Sequence, residues 1–337
     1  MRQITIKENE AGQRLDKFLH KYLKEAPNSF LFKMMRKKNI TLNGKKTEGR
    51  EMLSVGDQVS FYLAEETIEK FRGNIAFVTN QNLEYTKAYK ELGNIPIIFE
   101  NQHILLLNKP SGILTQKANP TDLSLNEWLL GYLLETKQIT DEELQTFKPS
   151  VCNRLDRNTS GLVVCGKSLI GSQTMSKLLK DRTLHKFYRL YVKGCIEDSL
   201  ELDGFLYKNE QTNKVSIVKE LKEGQSTKEY VPIVTRYTPL YHTDSYTYLE
   251  VELVTGKTHQ IRAHLASINH PLAGDHKYGD KKWNQMLKSL GIEDQMLHAY
   301  RLQFPHMEAP FEEISEAVFL AKEPEIFKKL FSKSSND

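Results

Sequence analysis

The order of strand-like and helical segments restricts the possible folds more than any other feature of this sequence. Apolar or alternating runs typical of strands occur at 97–99, 104–107, 162–165, 187–192 and 246–254. Apolar residues at helical spacing lie between and after them, at 125–134, 174–180 and 259–268. A regular strand–helix–strand repeat would predict a parallel sheet, but these segments follow no such rhythm. We therefore predict an α+β domain on a mixed, largely antiparallel sheet, covering residues 93–325.

The first 65 residues predict a separate, small α/β domain. Apolar side chains at helical spacing in 14–23 predict one helix, and Ser29 is the expected N-cap of a second helix after Pro27. The Asn43-Gly44 pair predicts a tight turn between strands. The remaining segments are predicted to be a polar linker at 66–92, in which 75–78 is an alternative short element, and a polar tail at 326–337.

Positive charge is concentrated at the N-terminal end of the chain. Residues 1–50 contain 13 Lys and Arg against five Asp and Glu, whereas the whole chain of 337 residues has a net charge of only +4. Such a localised surplus predicts an interface for nucleic acid or another acidic surface. The expected RNA-binding residues follow the second helix and its turn: Lys33, Arg36, Lys37, Lys38, Lys45 and Lys46.

Several classes of protein are excluded by composition. No apolar run approaches the ~18 residues of a membrane span, and the charged N-terminus lacks the apolar segment of a signal peptide, so a cytoplasmic location is expected. Cys152, Cys165 and Cys195 are odd in number and show no C-x-x-C spacing. We therefore predict reduced thiols in or near the core and no metal site.

The densest polar cluster of the chain is Asn153–Gly161, directly before an apolar run. A loop that feeds a buried strand holds a reactive group firmly while leaving it accessible, and Asp156 here lies between Arg154 and Arg157. Nearby arginines favour an ionised carboxylate and thus nucleophilic or electrostatic use. A surface ion pair beside a turn is the alternative interpretation of the same residues.

A second cluster, 255–265, contains two histidines, His259 and His264. Their spacing of five residues does not match the four-residue spacing of a helical zinc motif, and Val251 stands where a P-loop needs glycine. Arg262 follows His259 at helical spacing, so the two side chains can share a face. A helix cap without chemistry is the alternative. Tyr188, in the alternating run 185–192, is explained equally by packing and by stacking on a base.

Together and in this order, the clusters resemble the RluA family of pseudouridine synthases. The family's H-R-L-D-x-x-T-S-G-L loop is matched by Asn153–Leu162, its K-x-Y strand by Lys186–Tyr188, and its T-G-R-T-H-Q-I-R-x-H-L run by Thr255–Leu265. Supporting matches lie at 108–112, 270–279 and 297–302. The N-terminal unit resembles an S4 RNA-binding domain, through 14–19, 35–37 and 40–45. The combination is most similar to the RluC-type branch, whose members modify large-subunit ribosomal RNA.

This resemblance implies an isomerase that converts specific uridines to pseudouridine in 23S ribosomal RNA, without cofactor or metal and as a monomer. It implies that Asp156 is the catalytic carboxylate, that Arg262 pairs with it, and that Tyr188 packs on the uracil and removes the C5 proton. Whether Asp156 attacks the sugar or the base, or takes a proton from C2′, stays open. The implied substrate-binding residues are Arg154, which fills the space of the flipped-out base, and Leu162, Lys257, His259 and Gln260.

The sequence departs from the family pattern at two positions. Asn153 replaces the usual His, and Lys257 replaces an Arg, keeping the charge but losing the bidentate fork. Two other functions are compatible with the residues: a non-catalytic S4-type RNA-binding or assembly protein, and a hydrolase of N-glycosidic bonds. Only one of the three implied catalytic residues is a carboxylate, which favours an isomerase over a glycoside hydrolase that needs two.

Overall fold

The computed structural model describes residues 1–72, 75–212, 214–223, 226 and 229–331, which form two sheets with their associated helices. The predicted tail at 326–337 therefore lies partly outside the described residues. Within the described part of the chain, no helix is both long and apolar enough to cross a membrane.

The N-terminal unit packs two helices on a small antiparallel sheet. Its elements are β1 (Arg2–Thr5), α1 (Leu15–Tyr22), α2 (Asn28–Arg36), β2 (Ile40–Leu42), β3 (Lys45–Lys46) and β4 (Gln58–Phe61), with strand order β1-β4-β2-β3. α1 buries the apolar stripe that its spacing predicts. The prediction for the start of α2 was wrong: Pro27 is the N-cap and Ser29 lies in the first turn, because the fixed φ of proline suits a residue that begins a helix.

The turn between β2 and β3 has the backbone that its sequence predicts. Asn43 and Gly44 have φ values of 52° and 71°. Two consecutive residues in the left-handed region are typical of a type I′ hairpin turn, which asparagine and glycine tolerate best. The turn places Lys45 beside the C-terminal end of β2, on the surface of the unit.

Two helices occupy the segment that the sequence analysis describes as a linker: α3 (Glu65–Arg72) and α4 (Ile75–Glu91). α3 closes the N-terminal unit, because Ile68 is fully buried in its core and Arg2 pairs with Glu69 at 2.7 Å. α4 packs along α5 (Leu125–Glu135) of the larger unit. Gly131 permits this approach, since a Cβ there would lie 2.2 Å from the carbonyl oxygen of Tyr85.

The larger unit is built on one sheet of eleven strands within the described residues, all paired antiparallel except β8 with β14. This arrangement confirms the predicted α+β class. The strand order is β11-β10-β12-β13-β9-β14-β8-β6-β5, with β7 beside β8 and β15 beside β14. The strands are β5 (Ile97–Glu100), β6 (Ile104–Lys109), β7 (Ser150–Val151), β8 (Ser160–Gly166), β9 (His185–Lys193), β10 (Leu200–Asn209), β11 (Lys214–Val218), β12 (Tyr230–His242), β13 (Tyr246–Glu252), β14 (Leu297–Gln303) and β15 (Val318–Leu320). The other helices are α6 (Glu143–Thr146), α7 (Leu169–Asp181), α8 (Gln260–Ser267), α9 (Lys281–Lys288) and α10 (Lys328–Phe331), with short 3₁₀ turns at Glu312–Ile314 and Glu325–Phe327.

The centre of this sheet is covered on both faces. Alternate residues of β6 and β8 enter two different cores: Leu105 and Val163 pack with α5, whereas Leu106 and Val164 pack with Met175 of α7. A strand buried on both faces needs apolar residues at every position, which explains why 104–107 and 162–165 are continuous apolar runs. The loop before β8 is thereby anchored to a part of the sheet that is buried on both faces.

The two units contact each other through α3, α6 and the start of α7. Thr146 of α6 donates a buried 2.7 Å hydrogen bond to Glu10, and Arg72 donates one of 2.6 Å to Gln145. The backbone N–H of Leu169, at the start of α7, donates to Asn9.

Candidate active site

The loop that carries Asp156 is held by side chains from the end of β6 and the segment after it. Lys109 is fully buried, and its ammonium donates to the carbonyl oxygens of Pro110, Ile113 and Arg157 at 2.8–3.0 Å. Thr115 donates to the carbonyl oxygen of Leu155 and accepts from its backbone N–H. These bonds fix the backbone on both sides of Asp156, so its carboxylate has a defined position.

Gly161, at the start of β8, lets this loop lie against β14. Its φ is 114°, and a Cβ would lie 2.3 Å from the carbonyl oxygen of Ala299. Any other residue would push the two parallel strands apart and move the loop.

Arg262 of α8 connects Asp156 to a second, buried carboxylate. Its Nη1 donates to Asp156 Oδ2 at 2.7 Å, while Nε and Nη2 donate to the two oxygens of Asp275 at 2.7 and 2.9 Å. Asp275 has no exposed surface and also accepts from the backbone N–H groups of Lys277 and Tyr278. The bidentate pair fixes the plane of the guanidinium, which directs its remaining nitrogen at Asp156.

The ionisation of this pair follows from its contacts. Burial raises the pKa of Asp275, but the bonds from Arg262 and the two backbone donors outweigh it and leave that pKa below its usual range. Burial lowers the pKa of Arg262, while Asp275 and Asp156 raise it further than burial lowers it. A permanent cation therefore lies beside Asp156.

His259 and Tyr278 form a second side of the site. His259 is the N-cap of α8 with a φ of 53°, and its Nε2 lies 3.8 Å from Asp156 Oδ2. Its Nδ1 is 3.0 Å from the hydroxyl of Tyr278, which also accepts from the backbone N–H of Val215 in β11. Burial lowers the pKa of His259, and the charges of Arg262 and Lys277 lower it further. The charge of Asp156 raises this pKa but does not outweigh them. The ring is therefore neutral at pH 7.

Tyr188 lies on β9, is 6% exposed and faces the cleft in front of Asp156. Burial raises its pKa well above the usual range for a phenol, and the charge of Asp156 raises it further. The hydroxyl therefore keeps its proton at neutral pH. The ring presents an apolar surface at the edge of the larger core.

A cleft of about 1180 Å³ opens in front of these residues. Its lining contains ten Lys and Arg, and Asp156 is the sole carboxylate among the described residues that line it. The cations are Arg154, Arg157, Lys180, Arg182, Lys186, Lys208, Lys214, Lys257, Arg262 and Lys277. The volume exceeds the range of about 300–1,000 Å³ of small-molecule pockets, and the charge favours a polyanion.

The structure brings together most of the predicted site residues. Asp156, Tyr188, Arg262, Arg154, Lys257, His259 and Gln260 all line the cleft. Arg154 and Lys257 are exposed there. The amide of Gln260, in contrast, is buried and makes four hydrogen bonds within the protein: it accepts from Thr255 and Lys257 and donates to Val234 and Thr235. Gln260 therefore has no free capacity for a substrate and instead holds the loop that precedes α8.

Leu162 lies elsewhere. It is 1% exposed, belongs to the core beside α7 and is not part of the cleft lining. The reason is the alternation of β8, which directs Leu162 and Val164 to one face of the sheet and Val163 to the other. The structure therefore does not support the predicted contact of Leu162 with substrate.

The six predicted RNA-binding residues of the N-terminal unit are all exposed. Lys33 and Arg36 lie on the outer face of α2, Lys37 and Lys38 follow its C-terminus, and Lys45 and Lys46 form β3. They present one basic region on consecutive elements of the unit.

Three residues with roles in the site were not predicted: Asp275, Lys109 and Tyr278. Each belongs to a segment that the sequence analysis uses only as supporting evidence. A buried role for Lys109 is signalled by its position at the end of an apolar strand, where a charged side chain needs partners. No local pattern identifies Asp275 as the partner of Arg262.

Comparisons with known proteins agree with this geometry. Residues 103–267 match the family model described as RNA pseudouridylate synthase. Ribosomal large subunit pseudouridine synthase C of Vibrio parahaemolyticus is 30% identical over 304 residues, covering 90% of this chain and 88% of the relative. Ribosomal large subunit pseudouridine synthase D of Neisseria meningitidis serogroup A is 30% identical over 315 residues, covering 91% of this chain and 75% of the relative.

A solved structure has a similar fold over about three quarters of this chain. Human RNA pseudouridylate synthase domain containing 4 superposes with a TM-score of 0.57 at 21% identity, covering 76% of this chain and 97% of that one.

Proposed function

Because this chain belongs to the RluA family of RNA pseudouridylate synthases and is an isomerase that acts on RNA, we propose that its substrate is large-subunit ribosomal RNA and that Asp156 carries the reaction. The observation that supports this most directly is the position of Asp156. It is the sole acid among the described residues of a cleft with ten cations, and Arg262 fixes it. A polyanionic strand would enter such a cleft and meet one carboxylate.

The proposed reaction exchanges two bonds within one nucleotide. The N1–C1′ bond breaks, the uracil turns, C5 bonds to C1′, the proton on C5 leaves, and N1 gains a proton. No electron or external group is exchanged, so the reaction itself requires no cofactor. Asp156 begins it by attack on the sugar or the base or by taking a proton from C2′, and Arg262 stabilises the carboxylate until then.

Tyr188 has two proposed roles, which follow one another. Its ring packs on the uracil while its hydroxyl keeps the proton, since burial and the charge of Asp156 both raise its pKa. When Asp156 forms a bond or takes a proton, its negative charge disappears, and with it one cause of the raised pKa. Tyr188 then releases its proton to solvent more readily, the phenolate that forms accepts the proton from C5, and N1 takes its proton from solvent, so that the protons balance.

The target nucleotide must leave its stack to reach Asp156, at a cost of about a few kcal/mol. Arg154, exposed at the cleft, is proposed to fill the vacated space, while Lys257 and His259 contact the nucleotide. We propose that residues 1–65 are an S4-like RNA-binding domain whose basic residues provide phosphate affinity independent of sequence. A monomer suffices, because one chain supplies every proposed catalytic residue, and ribosomal RNA as substrate implies a cytoplasmic location.

Tritium release from RNA tests the proposal. Large-subunit, small-subunit and transfer RNA transcripts carrying tritium at uridine C5 are incubated with the wild type, with Asp156→Asn and with Asp244→Asn, an exposed aspartate outside the cleft. We expect release from large-subunit RNA by the wild type and Asp244→Asn and none by Asp156→Asn. Tritium release from small-subunit or transfer RNA alone would reject large-subunit RNA as the substrate. Full activity of Asp156→Asn would reject Asp156 as the catalytic residue. Formation of free uracil would indicate hydrolysis instead of isomerisation.

A further inference from the structure

Lys186 is a buried lysine whose ammonium group opens into the cleft. It lies on β9 two residues before Tyr188, its side chain lines the cleft, and only 9% of the residue is exposed. Its Nζ lies 3.6 Å from the position that a Cβ on Gly256 would occupy. Lys186 and Tyr188 are alternate residues of one strand and therefore point to the same face, about 7 Å apart.

Among the described residues, the Lys186 ammonium has no hydrogen-bond acceptor or carboxylate within bonding distance, and no carboxylate contributes to its pKa. Burial lowers the pKa of Lys186, and the nearby Arg182 lowers it further, with no carboxylate opposing them. Arg182 also lines the cleft and is exposed at the end of α7. Both cations line the cleft, Arg182 is near enough to act on Lys186, and no carboxylate contributes to the pKa of Lys186.

The other buried basic groups of the site have partners in the protein, although burial lowers the pKa of Lys109 to about 7. Lys109 donates to three carbonyl oxygens, and Arg262 binds two carboxylates. Most of the Lys186 side chain is buried, whereas its ammonium keeps contact with solvent in the cleft, so an RNA strand that displaces this solvent must supply a partner. An anion that arrives from outside would satisfy Lys186, and the lining of the cleft supplies none near it.

We propose that Lys186, together with Arg182, binds a backbone phosphate beside the target nucleotide. This inference rests on the proposed function, since phosphodiesters are the anions that an RNA strand brings into the cleft. With the uracil against Tyr188, a residue about 7 Å along the same strand lies where the backbone passes. The contact would set how deeply the nucleotide enters toward Asp156.

Three variants test the phosphate contact: Lys186→Met, Lys186→Arg and, as control, Lys177→Met, an exposed lysine of α7 outside the cleft lining. The readouts are tritium release, thermal unfolding, and binding of a fluorescein-labelled large-subunit RNA transcript at several salt concentrations. We expect Lys186→Met to lose about tenfold or more in kcat/KM. The slope of log affinity against log salt should fall by about 0.7–0.9, the loss of one phosphate. Lys186→Arg should recover most of both, and Lys177→Met should match the wild type.

The stability readout separates binding from a structural role. Replacing an unpaired buried cation by methionine should leave the unfolding temperature unchanged or raise it, while RNA binding weakens. A lower unfolding temperature, or an unchanged salt slope, would overturn the phosphate contact. A different outcome is that the wild type releases no tritium but still binds RNA in a salt-dependent way that requires Lys186. This result would reject the proposed function and support the phosphate contact of Lys186.

Discussion

Asp275→Asn tests whether the buried carboxylate behind Arg262 is needed to position it. The substitution keeps the shape of the side chain and one oxygen. That oxygen can still accept from Arg262 Nη2 and from the backbone N–H groups of Lys277 and Tyr278. The new amide group faces the Nε–H of Arg262, where donor meets donor and the 2.7 Å bond is lost.

The expected magnitude follows from these contacts. Removing one partner of a buried ion pair costs about 3–5 kcal/mol of unfolding free energy. In Asp275→Asn, Arg262 keeps one acceptor oxygen at residue 275 and its bond to Asp156. We therefore expect a loss near the lower end, at about 3 kcal/mol. The guanidinium loses one charge-assisted hydrogen bond, about 1.5–3 kcal/mol, and with it the fixed direction of Nη1 toward Asp156. We expect the rate of the chemical step to fall by about 10-fold to 100-fold.

The assay is single-turnover tritium release with enzyme in excess over RNA, so that binding does not limit the rate. Asp280→Asn is the matched control, because Asp280 caps α9 through Trp283 and pairs with Lys193 without contacting Arg262. We expect Asp280→Asn to lose less than about 1 kcal/mol of stability with an unchanged rate, because asparagine caps a helix as well as aspartate and the ion pair with Lys193 is partly exposed. A wild-type rate in Asp275→Asn would refute the positioning role of Asp275.

The pH dependence of stability gives a second check. The folded-state pKa of Asp275 is lowered from its usual 3.8, so the unfolded state binds the proton more readily. The stabilisation by Asp275 is therefore present above about pH 3.8 and is lost as pH falls through the folded-state pKa. The stability difference between wild type and Asp275→Asn should shrink in acid, and a constant difference between pH 6 and pH 3 would contradict this interpretation.

Four further predictions concern individual residues. Arg262→Lys keeps the charge but cannot bind both carboxylates, so single-turnover rates should fall by about 100-fold or more; a rate within threefold of wild type would exclude the bridging role. Tyr188→Phe keeps the ring, so RNA affinity measured by anisotropy should be unchanged while tritium release falls, and equal losses in both would indicate packing alone. Replacing Lys37 and Lys45 by Gln should reduce the salt slope of RNA binding by about 1.4–1.8 for every RNA tested, with no change in the single-turnover rate. The free energy of unfolding of Lys186→Met should exceed that of the wild type at pH 7, and this difference should diminish toward pH 10.5. The reason is that the lowered pKa of Lys186 lets the folded wild type lose this proton at a lower pH than the unfolded chain does. Chemical denaturation across this pH range measures the difference.

The sequence by itself determined the local elements and the position of the reactive loop. Continuous apolar runs at 104–107 and 162–165 are required by strands buried on both faces, and the polar run before Ser160 is required by a loop that enters such a strand. These are properties of neighbouring residues, so patterning is sufficient to predict them. The antiparallel strands β10, β11 and β12, which were not predicted, have mixed polar and apolar residues because part of each lies at the surface.

Only the tertiary structure decided which side chains meet. Asp156 and Arg262 are 106 positions apart, and Asp275 enters the same cluster from a third segment. The structure supports a substrate contact for neither Gln260 nor Leu162, and the origin is the same in both cases. The hydrogen-bond capacity of an amide and the direction of a strand residue depend on groups distant in sequence. The unpaired charge of Lys186 is likewise visible only after folding. Its local sequence is basic and unremarkable, and the absence of a nearby carboxylate is a property of the whole cleft.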